Sequence, residues 1–554
     1  MRNLQSTLRI LQRACRSAGC SNTGLRAISM LAAAVPQAPA AFSGPTFQTS
    51  TRRDSLFTSL ALAPVLACGV SSSAASGAMA LMTEVAVEGD AETLLRELDS
   101  IITSDSVGAK EVSDAAVALA YLQAKGNRRL WGKIFEKVAA VKAEMDASSL
   151  ANFLWAATTA GVTHFKTVAE LSGPAAALLP KMSPAQVSLV VEALGAAGAK
   201  DLDFLGKVAS LVASNPAAFS SAQLARVLWG FAAAGVDDAQ LVQAASKGLA
   251  AKAAELSGRE VAQVVWAMAR LRRADKATLD TIVRSAKGKV DNVVDAAGLA
   301  WGLGFLGYKD AATGQALGSV LKAGAGQLTP AHAVDAAWGL GLVGGADKAA
   351  VDALFGVVAK ALAASADCLD PYQLASLFEA SALTPGAKLP DAVSAFAAKG
   401  HALVEEGGKA KSSATLAAFK AQVADATARA LGARYRPEVA AAVASFPQAA
   451  ADGVMVDIGV SLDANTKLAI EAVGPHYLSS AATPLGPALS RAKLLESCGF
   501  VPVHITFAEF AGAQDDKAKA KLVLAKIKAA VPGARSKVDA MSSKLDEPFD
   551  AYAD

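Results

Sequence analysis

The sequence contains the stretch Leu150-Ala-Asn-Phe-Leu-Trp-Ala-Ala-Thr-Thr-Ala-Gly161, and a close copy, Leu224-Ala-Arg-Val-Leu-Trp-Gly-Phe-Ala-Ala-Ala-Gly235, follows 74 residues later. Further copies surround Trp266, Trp301 and Trp338. Aligned on the Trp, the equivalent positions are Ala120, Trp155, Glu192, Trp229, Trp266, Trp301, Trp338 and Glu379. Their spacing is 35 to 41 residues and most often 37. A steady period of this length is typical of proteins built from stacked helical pairs.

Each repeat from the second onward begins with a residue type that caps helices. Nine positions before the aligned residue stand Asp146, Ser183, Ser220, Ser257, Asn292, Thr329 and Asp370. Pro184, Pro330 and Pro371 follow three of these caps, as proline does at the first position of a helix. Gln186, Gln223 and Glu260 stand where a capping box needs them. We therefore predict that each repeat is a capped helix A, a glycine-containing turn and a second helix B.

A helical wheel assigns a role to each position of helix A, counted from its cap. Positions 4, 7, 8 and 11 are apolar and are predicted to face helix B. Positions 5, 10 and 12 are almost all Ala or Gly, so neighbouring A helices are predicted to approach closely there. Positions 2, 6, 9 and 13 are predicted to point away from the core, and position 9 is the Trp.

Two matches to the nucleotide-binding pattern G-x-G-x-x-G fall inside these repeats, at Gly302–Gly307 and Gly339–Gly344. Both follow a Trp within a predicted helix A, and neither follows a strand, as a nucleotide-binding loop would. We predict that these glycines serve close helix packing.

Position 6 of helix A varies and is mostly polar: Asn152, Leu189, Arg226, Gln263, Gly298, Asp335 and Ser376. A planar ring beside a changing polar side chain on successive helices suits a protein that reads one RNA base per repeat. We predict RNA contacts at Trp155, Trp229, Trp266, Trp301 and Trp338, and at Asn152, Arg226, Gln263, Asp335 and Ser376. The alternative is that each Trp fills the groove between adjacent A helices and that position 6 is merely solvated.

The composition agrees with a helical array and argues against several other classes. Of the 554 residues, 53% are hydrophobic but only 6% are aromatic. No apolar run reaches the about 18 to 20 residues that a membrane span needs. Five Cys cannot form a disulfide framework for a chain of this size, and three of them fall in a segment expected to be removed. No pattern predicts a metal site or a cofactor.

The first 80 residues are predicted to be an organelle-targeting presequence. Residues 1–53 contain seven Arg, no Lys and no acidic residue, which is typical of a transit segment. Arg52-Arg53, the apolar stretch from Leu56 to Val70 and Ala78-Met79-Ala80 then resemble a cleavable export signal. This order favours a plastid, with a mitochondrion as the alternative. Removal of residues 1–80 would change the net charge from +3 to about −3.

The chain changes character after the repeats. We predict a helical-repeat region over 81–386, a helical connector over 387–450, a small α/β domain over 451–532 and a tail over 533–554. Within the α/β domain the predicted strands are Met455–Val460, Lys467–Glu471 and Val501–Thr506, and the predicted helices are Leu489–Ser497 and Lys517–Ala530.

The α/β segment resembles the RAP domain of organellar RNA-binding proteins. The resemblance lies in Val456-Asp-Ile, in Ile470-Glu-Ala-Val-Gly-Pro-His476 and in Leu495-Glu-Ser-Cys-Gly-Phe500. The repeats are similar to the heptatricopeptide and octotricopeptide repeats that precede that domain. Together the resemblances imply a mostly α fold, a right-handed α-solenoid of about eight helix pairs followed by a small restriction-endonuclease-like domain. They also imply binding of single-stranded organellar RNA in transcript processing, stability, translation or ribosome assembly, with the ribosome or RNA-processing factors as further partners.

The resemblance to restriction-endonuclease-like folds also implies which residues a nuclease of this kind would need. Such an enzyme needs two carboxylates to hold a divalent metal and a Lys beside the attacking water. Asp457 and Glu471 stand at the carboxylate positions, but Val473 stands where the Lys is expected. Asp457 and Glu471 are therefore candidates only, and no catalytic residue is assigned; the alternative is that a distant Lys, such as Lys467 or Lys493, takes the place of the missing one.

Three further residues of this domain are predicted to contact RNA. Arg491 and Lys493 lie near a predicted helix start and suit phosphate binding, although a solvated helix face explains them nearly as well. His476 suits a binding role or a structural role at the Gly474-Pro475 turn.

A protein-interaction scaffold in a plastid compartment is the competing prediction. The near-neutral charge favours it, because phosphate neutralisation normally needs many Lys and Arg. Delivery to a lumen, where RNA is absent, would favour it too. A metal-dependent endoribonuclease is a weaker alternative.

Overall fold

The computed structural model describes residues 91–104, 107–121, 127–162, 164–273, 276–410, 414–431, 438–439, 454–463 and 465–532. This part of the chain is mostly helical, with a small sheet near its C-terminal end. The chain divides into two compact units, one ending at Ala245 and the other beginning at Ser246. The predicted presequence, residues 1–80, and the predicted tail, residues 533–554, lie outside the described residues.

The first unit consists of helices that follow the predicted alternation of A and B. They are α1 (Ala91–Thr103), α2 (Ala109–Tyr121), α3 (Arg128–Val141), α4 (Ala147–Thr159), α5 (Phe165–Glu170), α6 (Ser172–Leu178), α7 (Pro184–Ala196), α8 (Leu202–Ser214) and α9 (Ser221–Ala234). The A helices α2, α4, α7 and α9 pack side by side in chain order. The boundary between the units falls inside the next helix, α10 (Ala239–Ala251).

The second unit continues the alternation. Its helices are α11 (Gly258–Arg270), α12 (Lys276–Ser285), α13 (Val293–Phe305), α14 (Ala311–Gly324), α15 (Pro330–Val343), α16 (Lys348–Ala364), α17 (Pro371–Leu383), α18 (Asp391–Ala410) and α19 (Ala414–Leu431). The A helices α11, α13, α15 and α17 again pack side by side in chain order. Helix α18 packs on α17, so the predicted connector contains the partner helix of the last A helix.

Every predicted N-cap from Asp146 to Asp370 caps a helix A. Each cap side chain accepts a hydrogen bond from a backbone N–H in the first turn. The predicted capping boxes at Ser183, Ser220 and Ser257 are confirmed, and Asp370 forms a fourth with Gln373. These helix starts follow from sequence because each bond joins residues only three positions apart.

The small residues on the flanks of helix A allow neighbouring A helices to approach closely, as predicted. A Cβ added to Gly195 would lie only 2.4 Å from the carbonyl oxygen of Gly230 on the next A helix. A Cβ added to Gly304 would lie 2.7 Å from Cα of Gly339. No side chain larger than hydrogen fits at these contacts.

The two G-x-G-x-x-G matches are packing positions, as predicted. A Cβ added to Gly302 or Gly341 would meet a side chain of another A helix, Val265 or Leu383, at less than 3 Å. The last glycine of each match, at positions 307 and 344, has φ of +69° or +83° just after its helix ends. This backbone conformation suits glycine, because it has no Cβ to clash.

The α/β domain contains the sheet β1 (Glu438–Val439), β2 (Ile458–Ser461), β3 (Lys467–Val473) and β4 (Phe500–Thr506), in that order. Strands β1–β2 and β2–β3 pair antiparallel, and β3–β4 pair parallel. Helix α20 (Gly486–Ser497) connects β3 to β4, and α21 (Phe507–Gly512) and α22 (Asp516–Ala530) follow. The predicted strands and helices of this domain are confirmed, with boundaries shifted by one to three residues.

Helix α19 belongs to the core of the α/β domain. Phe419 and Val423 of this helix are buried with Ile470 of β3, Ile505 of β4 and Ile527 of α22. The core of the α/β domain therefore includes a helix that lies before the predicted boundary at 451, and α22 and the sheet cover the apolar face of that helix.

The α/β domain packs against the A helices of the second unit. Helix α20 contacts α13, α15 and α17, mainly the last. Phe378 of α17 packs against a cluster that contains Leu494 of α20 and Val456. Within the described residues, no helix combines the length and apolar character needed to cross a membrane.

Candidate nucleic-acid interface

The five Trp side chains predicted to stack with RNA bases are buried. Their exposed fractions are 7% for Trp155, 7% for Trp229, 2% for Trp266, 5% for Trp301 and 5% for Trp338. The prediction that position 9 points to solvent is therefore wrong, and the burial agrees with the packing alternative. The physical reason is the close approach of neighbouring A helices at their Gly and Ala flanks, which a helical wheel drawn for one helix does not show.

The predicted base-reading side chains at position 6 are also largely enclosed. Asn152, Arg226 and Gln263 are 3%, 7% and 7% exposed. Asp335 and Ser376 are partly buried. The Nε atom of Arg226 lies 3.6 Å from Oε2 of Glu192, the position-9 residue of the preceding repeat. In this pair, position 6 of one repeat faces position 9 of the repeat before it, and a polar contact forms between the two helices.

The α/β domain covers the same face of the last repeats. The Ser490 hydroxyl of α20 donates to Oε2 of Glu379, 2.6 Å away. Gly486, at the start of α20, lies so close that an added Cβ would be 2.8 Å from the Trp338 ring and 2.4 Å from the Gly304 carbonyl oxygen. Protein therefore occupies the surface at which base stacking was predicted in these repeats.

The predicted carboxylates Asp457, just before β2, and Glu471 of β3 lie close together, and each accepts a hydrogen bond from a backbone N–H of the other segment. The Asp457 N–H donates to Glu471 Oε1 at 3.1 Å, and the Ala472 N–H donates to Asp457 Oδ2 at 3.1 Å. The other oxygens take cations: Lys420 Nζ lies 2.5 Å from Asp457 Oδ1, and Arg491 Nε lies 2.5 Å from Glu471 Oε2. All four carboxylate oxygens therefore accept hydrogen bonds from the protein.

Arg491 is the centre of this cluster, and its side chain is 23% exposed. Its Nη1 donates to Glu405 Oε1 of α18 at 2.6 Å, and its Nη2 donates to the Met455 carbonyl. Burial acts to lower the pKa of Arg491, but the carboxylates of Glu471, Glu405 and Asp457 outweigh it and raise that pKa above its ordinary value. The predicted phosphate contact at Arg491 stays a prediction, although folding brings these competing partners to it from distant parts of the sequence.

The pKa shifts of Glu471 and His504 show that this site is shielded from water. Burial raises the pKa of Glu471, although Arg491 acts to lower it. His504, the register partner of Glu471 on β4, has a pKa lowered by burial and by the charges of Lys526 and Arg491. Lys493, in contrast, is about half exposed and pairs with Glu496 at 2.5 Å on its own helix.

The cluster has the form of a buried ion network. Lys420 of α19 stands beside Asp457, where the sequence analysis named Lys467 or Lys493 as the distant lysine. No sequence signal pointed to Lys420, because the contact joins a helix and a loop 37 residues apart. Among the described residues, no group of three or more His, Cys, Asp or Glu has the arrangement of a metal site.

One repeat is far more basic than the others. From Ser257 to Asp291 the chain carries eight Lys or Arg and four Asp or Glu, a net charge of +4. The other repeats between Asp146 and Leu369 each carry between 0 and −2. The side chains of Lys276, Arg284, Lys287 and Lys289 in this repeat are exposed. The whole-chain charge does not indicate this feature, because it averages the basic repeat with its neutral and acidic neighbours.

The turn of this basic repeat contacts a loop of the α/β domain. The Ser480 N–H donates to the Arg272 carbonyl at 3.0 Å. Arg272 Nη1 lies 3.4 Å from the carbonyl oxygens of both Pro475 and His476. His476, predicted as a binding residue, is exposed beside this contact, and Tyr477 next to it is 48% exposed. The structure thus brings His476 together with the basic repeat.

No protein-family model matches the chain, and no curated protein matches it.

Proposed function

We propose that this protein binds single-stranded RNA in an organelle, a plastid with the mitochondrion as the alternative, and acts in transcript processing, stability, translation or ribosome assembly. In this proposal the helical repeats form a right-handed α-solenoid, and the C-terminal domain is a restriction-endonuclease-like RAP domain. The ribosome or RNA-processing factors are the proposed further partners.

Two features support the proposed architecture. A helices that pack side by side at a 37-residue period are what an α-solenoid requires. A small mixed sheet with a helix crossing between parallel β3 and β4 agrees with the RAP resemblance, which otherwise rests on short motifs.

The observation that carries the proposal is the concentration of positive charge in the repeat from Ser257 to Asp291. A chain whose net charge is predicted to be near −3 without its presequence binds a polyanion only if its cations are gathered at one place. Each neutralised phosphate releases counterions, so a local group of exposed Lys and Arg binds nucleic acid even on a nearly neutral protein. Lys276 and Arg284 of α12, with Lys287 and Lys289 just after its end, supply such a group.

The proposal assigns RNA binding without cleavage. A catalytic divalent metal needs carboxylate oxygens that are open to it. Here the oxygens of Asp457 and Glu471 are engaged by Lys420, by Arg491 and by two backbone N–H groups. Removal of these donors would be required before the pair could hold a metal.

A matched pair of charge variants tests the proposal. The test variant combines Lys276→Gln, Arg284→Gln and Lys287→Gln in the basic repeat. The control combines Lys200→Gln, Lys207→Gln and Lys247→Gln, three exposed lysines outside that repeat, so that both variants lose equal charge. Binding of the full chain to fluorescein-labelled random-sequence single-stranded RNA is measured by anisotropy over a range of salt concentrations.

We expect the test variant to bind about tenfold more weakly near 0.1 M salt and to show a shallower salt dependence, with the control within about twofold of wild type. Equal weakening of both variants would show that binding is unspecific attraction. Failure of the wild-type chain to bind RNA would overturn the proposal.

The scaffold function is a second candidate, supported by exposed apolar side chains in the first unit. Phe165 begins α5 and is 59% exposed, and Leu202 begins α8, 37 residues later, and is 68% exposed. Large apolar side chains exposed at equivalent positions of successive repeats suit a protein partner. A Phe165→Ser and Leu202→Ser variant that loses a crosslinked protein partner but keeps RNA binding would establish this function as additional to the first.

A further inference from the structure

We infer that the turn at Arg272 and the loop from Pro475 to Leu485 together form a subsite for one nucleotide unit of single-stranded RNA. In this subsite Arg272 contacts a phosphate and the Tyr477 ring stacks on a base. The inference rests on the proposed RNA-binding function and names the place where the C-terminal domain takes part in it.

The backbone at Arg272 is the first argument. The fifteenth residue after each cap adopts positive φ at the end of helix A, and in the other repeats from Asp146 to Leu369 it is a glycine: Gly161, Gly198, Gly235, Gly307 and Gly344. In the basic repeat this residue is Arg272, with φ of +52°. An L-residue with a Cβ is strained in this conformation, so the arginine is held there against a local preference for glycine.

A second strained residue lies in the loop that Arg272 touches. Among the described residues, the non-glycine residues with positive φ are Arg272 and Ala482. Their segments are joined by the bond from the Ser480 N–H to the Arg272 carbonyl at 3.0 Å. Strained backbone that persists in a folded protein clusters at binding sites, where the surrounding structure holds it in place. Both strained residues therefore point to the same contact.

The Arg272 side chain is placed to bind an anion. A guanidinium has five N–H donors in a fork that matches phosphate. In the described part of the chain its hydrogen bonds engage only Nη1, at 3.4 Å from the carbonyl oxygens of Pro475 and His476. Bonds of this length are weak, and a charge-assisted bond to phosphate is about twice as strong as a neutral bond of normal length. The guanidinium therefore has capacity for a ligand while it stays beside the loop.

Tyr477 provides the stacking surface. Tyr477 is 48% exposed as a residue. Its backbone is held from both sides, since its N–H donates to Gly474 O at 3.0 Å and its carbonyl accepts from Leu485 N at 2.8 Å. An exposed ring on a fixed backbone stacks with a base without a large ordering cost. The exposed His476 next to it adds a hydrogen-bonding group.

The charge around the subsite indicates which kind of ligand it binds. Arg270, Arg273 and Lys276 belong to the same turn and helix start as Arg272, so the local field attracts a polyanion. A single exposed ring can receive a base only if that base is not stacked in a duplex. We therefore expect single-stranded RNA as the ligand, in preference to double-stranded RNA.

Three variants of the full chain test the inference. Arg272→Gly introduces the residue that the other repeats have, so it should leave the melting temperature equal or higher. Tyr477→Ala removes the ring. Ala482→Gly relieves strain in the loop without removing a ligand group and is the control. Binding of fluorescein-labelled random-sequence single-stranded RNA and of a duplex of the same length is measured by anisotropy over a range of salt concentrations.

We expect Arg272→Gly to bind single-stranded RNA about five- to twentyfold more weakly and to reduce the slope of log K against log salt by about 0.7, the value of one phosphate contact. Tyr477→Ala should weaken binding by about five- to a hundredfold, equivalent to the loss of one stacked base, with the slope unchanged. Ala482→Gly should bind within about twofold of wild type, and duplex binding should be insensitive to Tyr477→Ala.

The failures of the two proposals are distinguishable. If the wild-type chain binds single-stranded RNA and both Arg272→Gly and Tyr477→Ala bind like wild type, the subsite is refuted and the RNA-binding function stands. If the wild-type chain binds no RNA, both are refuted. A lower melting temperature of Arg272→Gly would show that the arginine is held there for the domain contact and would also overturn the inference.

Discussion

The indole N–H of Trp338 donates to Oε2 of Glu379 on the next A helix, at a distance of 3.0 Å. These residues occupy the same position of consecutive repeats. This pair of position-9 side chains thus joins one repeat to the next. Packing therefore explains the regular series of Trp residues. RNA binding is now predicted at the exposed cations of one repeat instead of at the Trp rings.

The Trp residues are expected to determine stability. Trp229 is 7% exposed between A helices, so Trp229→Ala should lower the free energy of unfolding by about 3–5 kcal/mol. Phe165→Ala, at a side chain that is 59% exposed, is the control and should change it by about 0.5 kcal/mol or less. Urea unfolding measures both. A Trp229→Ala protein of unchanged stability that binds RNA poorly would restore the stacking hypothesis.

The glycines at the helix contacts are expected to be irreplaceable, and glycines elsewhere in helices are not. A Cβ at Gly230 would lie 2.5 Å from the Val191 carbonyl oxygen, so Gly230→Ala should destabilise the first unit by about 1–3 kcal/mol. At Gly206 of α8, nothing lies within 4 Å of an added Cβ. Gly206→Ala should therefore stabilise the chain by about 0.5–1 kcal/mol through helix propensity. Equal effects of the two substitutions in thermal unfolding would contradict the close approach.

Substitution of two cations of helix α20 should have very different effects on the free energy of unfolding. Arg491→Gln removes the guanidinium that pairs with the buried carboxylate of Glu471 and the partly buried carboxylate of Glu405, and it should cost about 3–5 kcal/mol of stability. Lys493→Gln, two residues away, breaks only an exposed pair with Glu496 and should cost about 0.5 kcal/mol or less. If Arg491→Gln left stability unchanged and reduced RNA affinity, Arg491 would be a phosphate ligand after all.

Asp295 is expected to make stability depend on pH. Burial raises the pKa of this carboxyl to about 6, Arg259 opposes the rise and Asp291 adds to it. Because the pKa of an unfolded Asp is about 4, the folded state binds more protons between about pH 4 and pH 6. The stability that the protonated carboxyl provides is complete below about pH 4 and is lost as the pH rises through about 6.

The substitution Asp295→Asn keeps the shape of the side chain and removes its titration. We expect it to stabilise the chain by about 1–3 kcal/mol above pH 6, with the gain vanishing towards pH 4. Urea unfolding of both proteins across this range measures the difference. A gain that is the same at all pH values would mean that the ionisation of Asp295 is not responsible.

The prediction from sequence agrees with the structure where the interactions join residues close in sequence, and it differs where they join separate helices. The caps at Ser183 and Ser220, and the small flanks at Gly195 and Gly230, were predictable because a cap bond spans three residues and a repeat shows which positions stay small. The burial of Trp229 was not predictable, because a helical wheel treats one helix alone and does not show how closely its neighbours approach.

The functional residues were harder to predict for the same reason. The ion network joins Arg491 to Glu405, 86 residues away, and to Glu471, 20 residues away, and no local pattern indicates such pairing. The contact of Arg272 with His476 spans 204 residues. One signal was present in the sequence: an arginine stands where the other repeats have glycine, and it would have directed attention to that turn.

The central claim is RNA binding through the basic repeat, and crosslinking in the organelle tests it most directly. RNA crosslinked to the full-length protein is purified and sequenced, beside RNA from the variant with Lys276→Gln, Arg284→Gln and Lys287→Gln. We predict that the wild-type protein enriches a small set of organellar transcripts and that the variant loses most of this enrichment. Recovery of no transcript above background with the wild-type protein would contradict the claim.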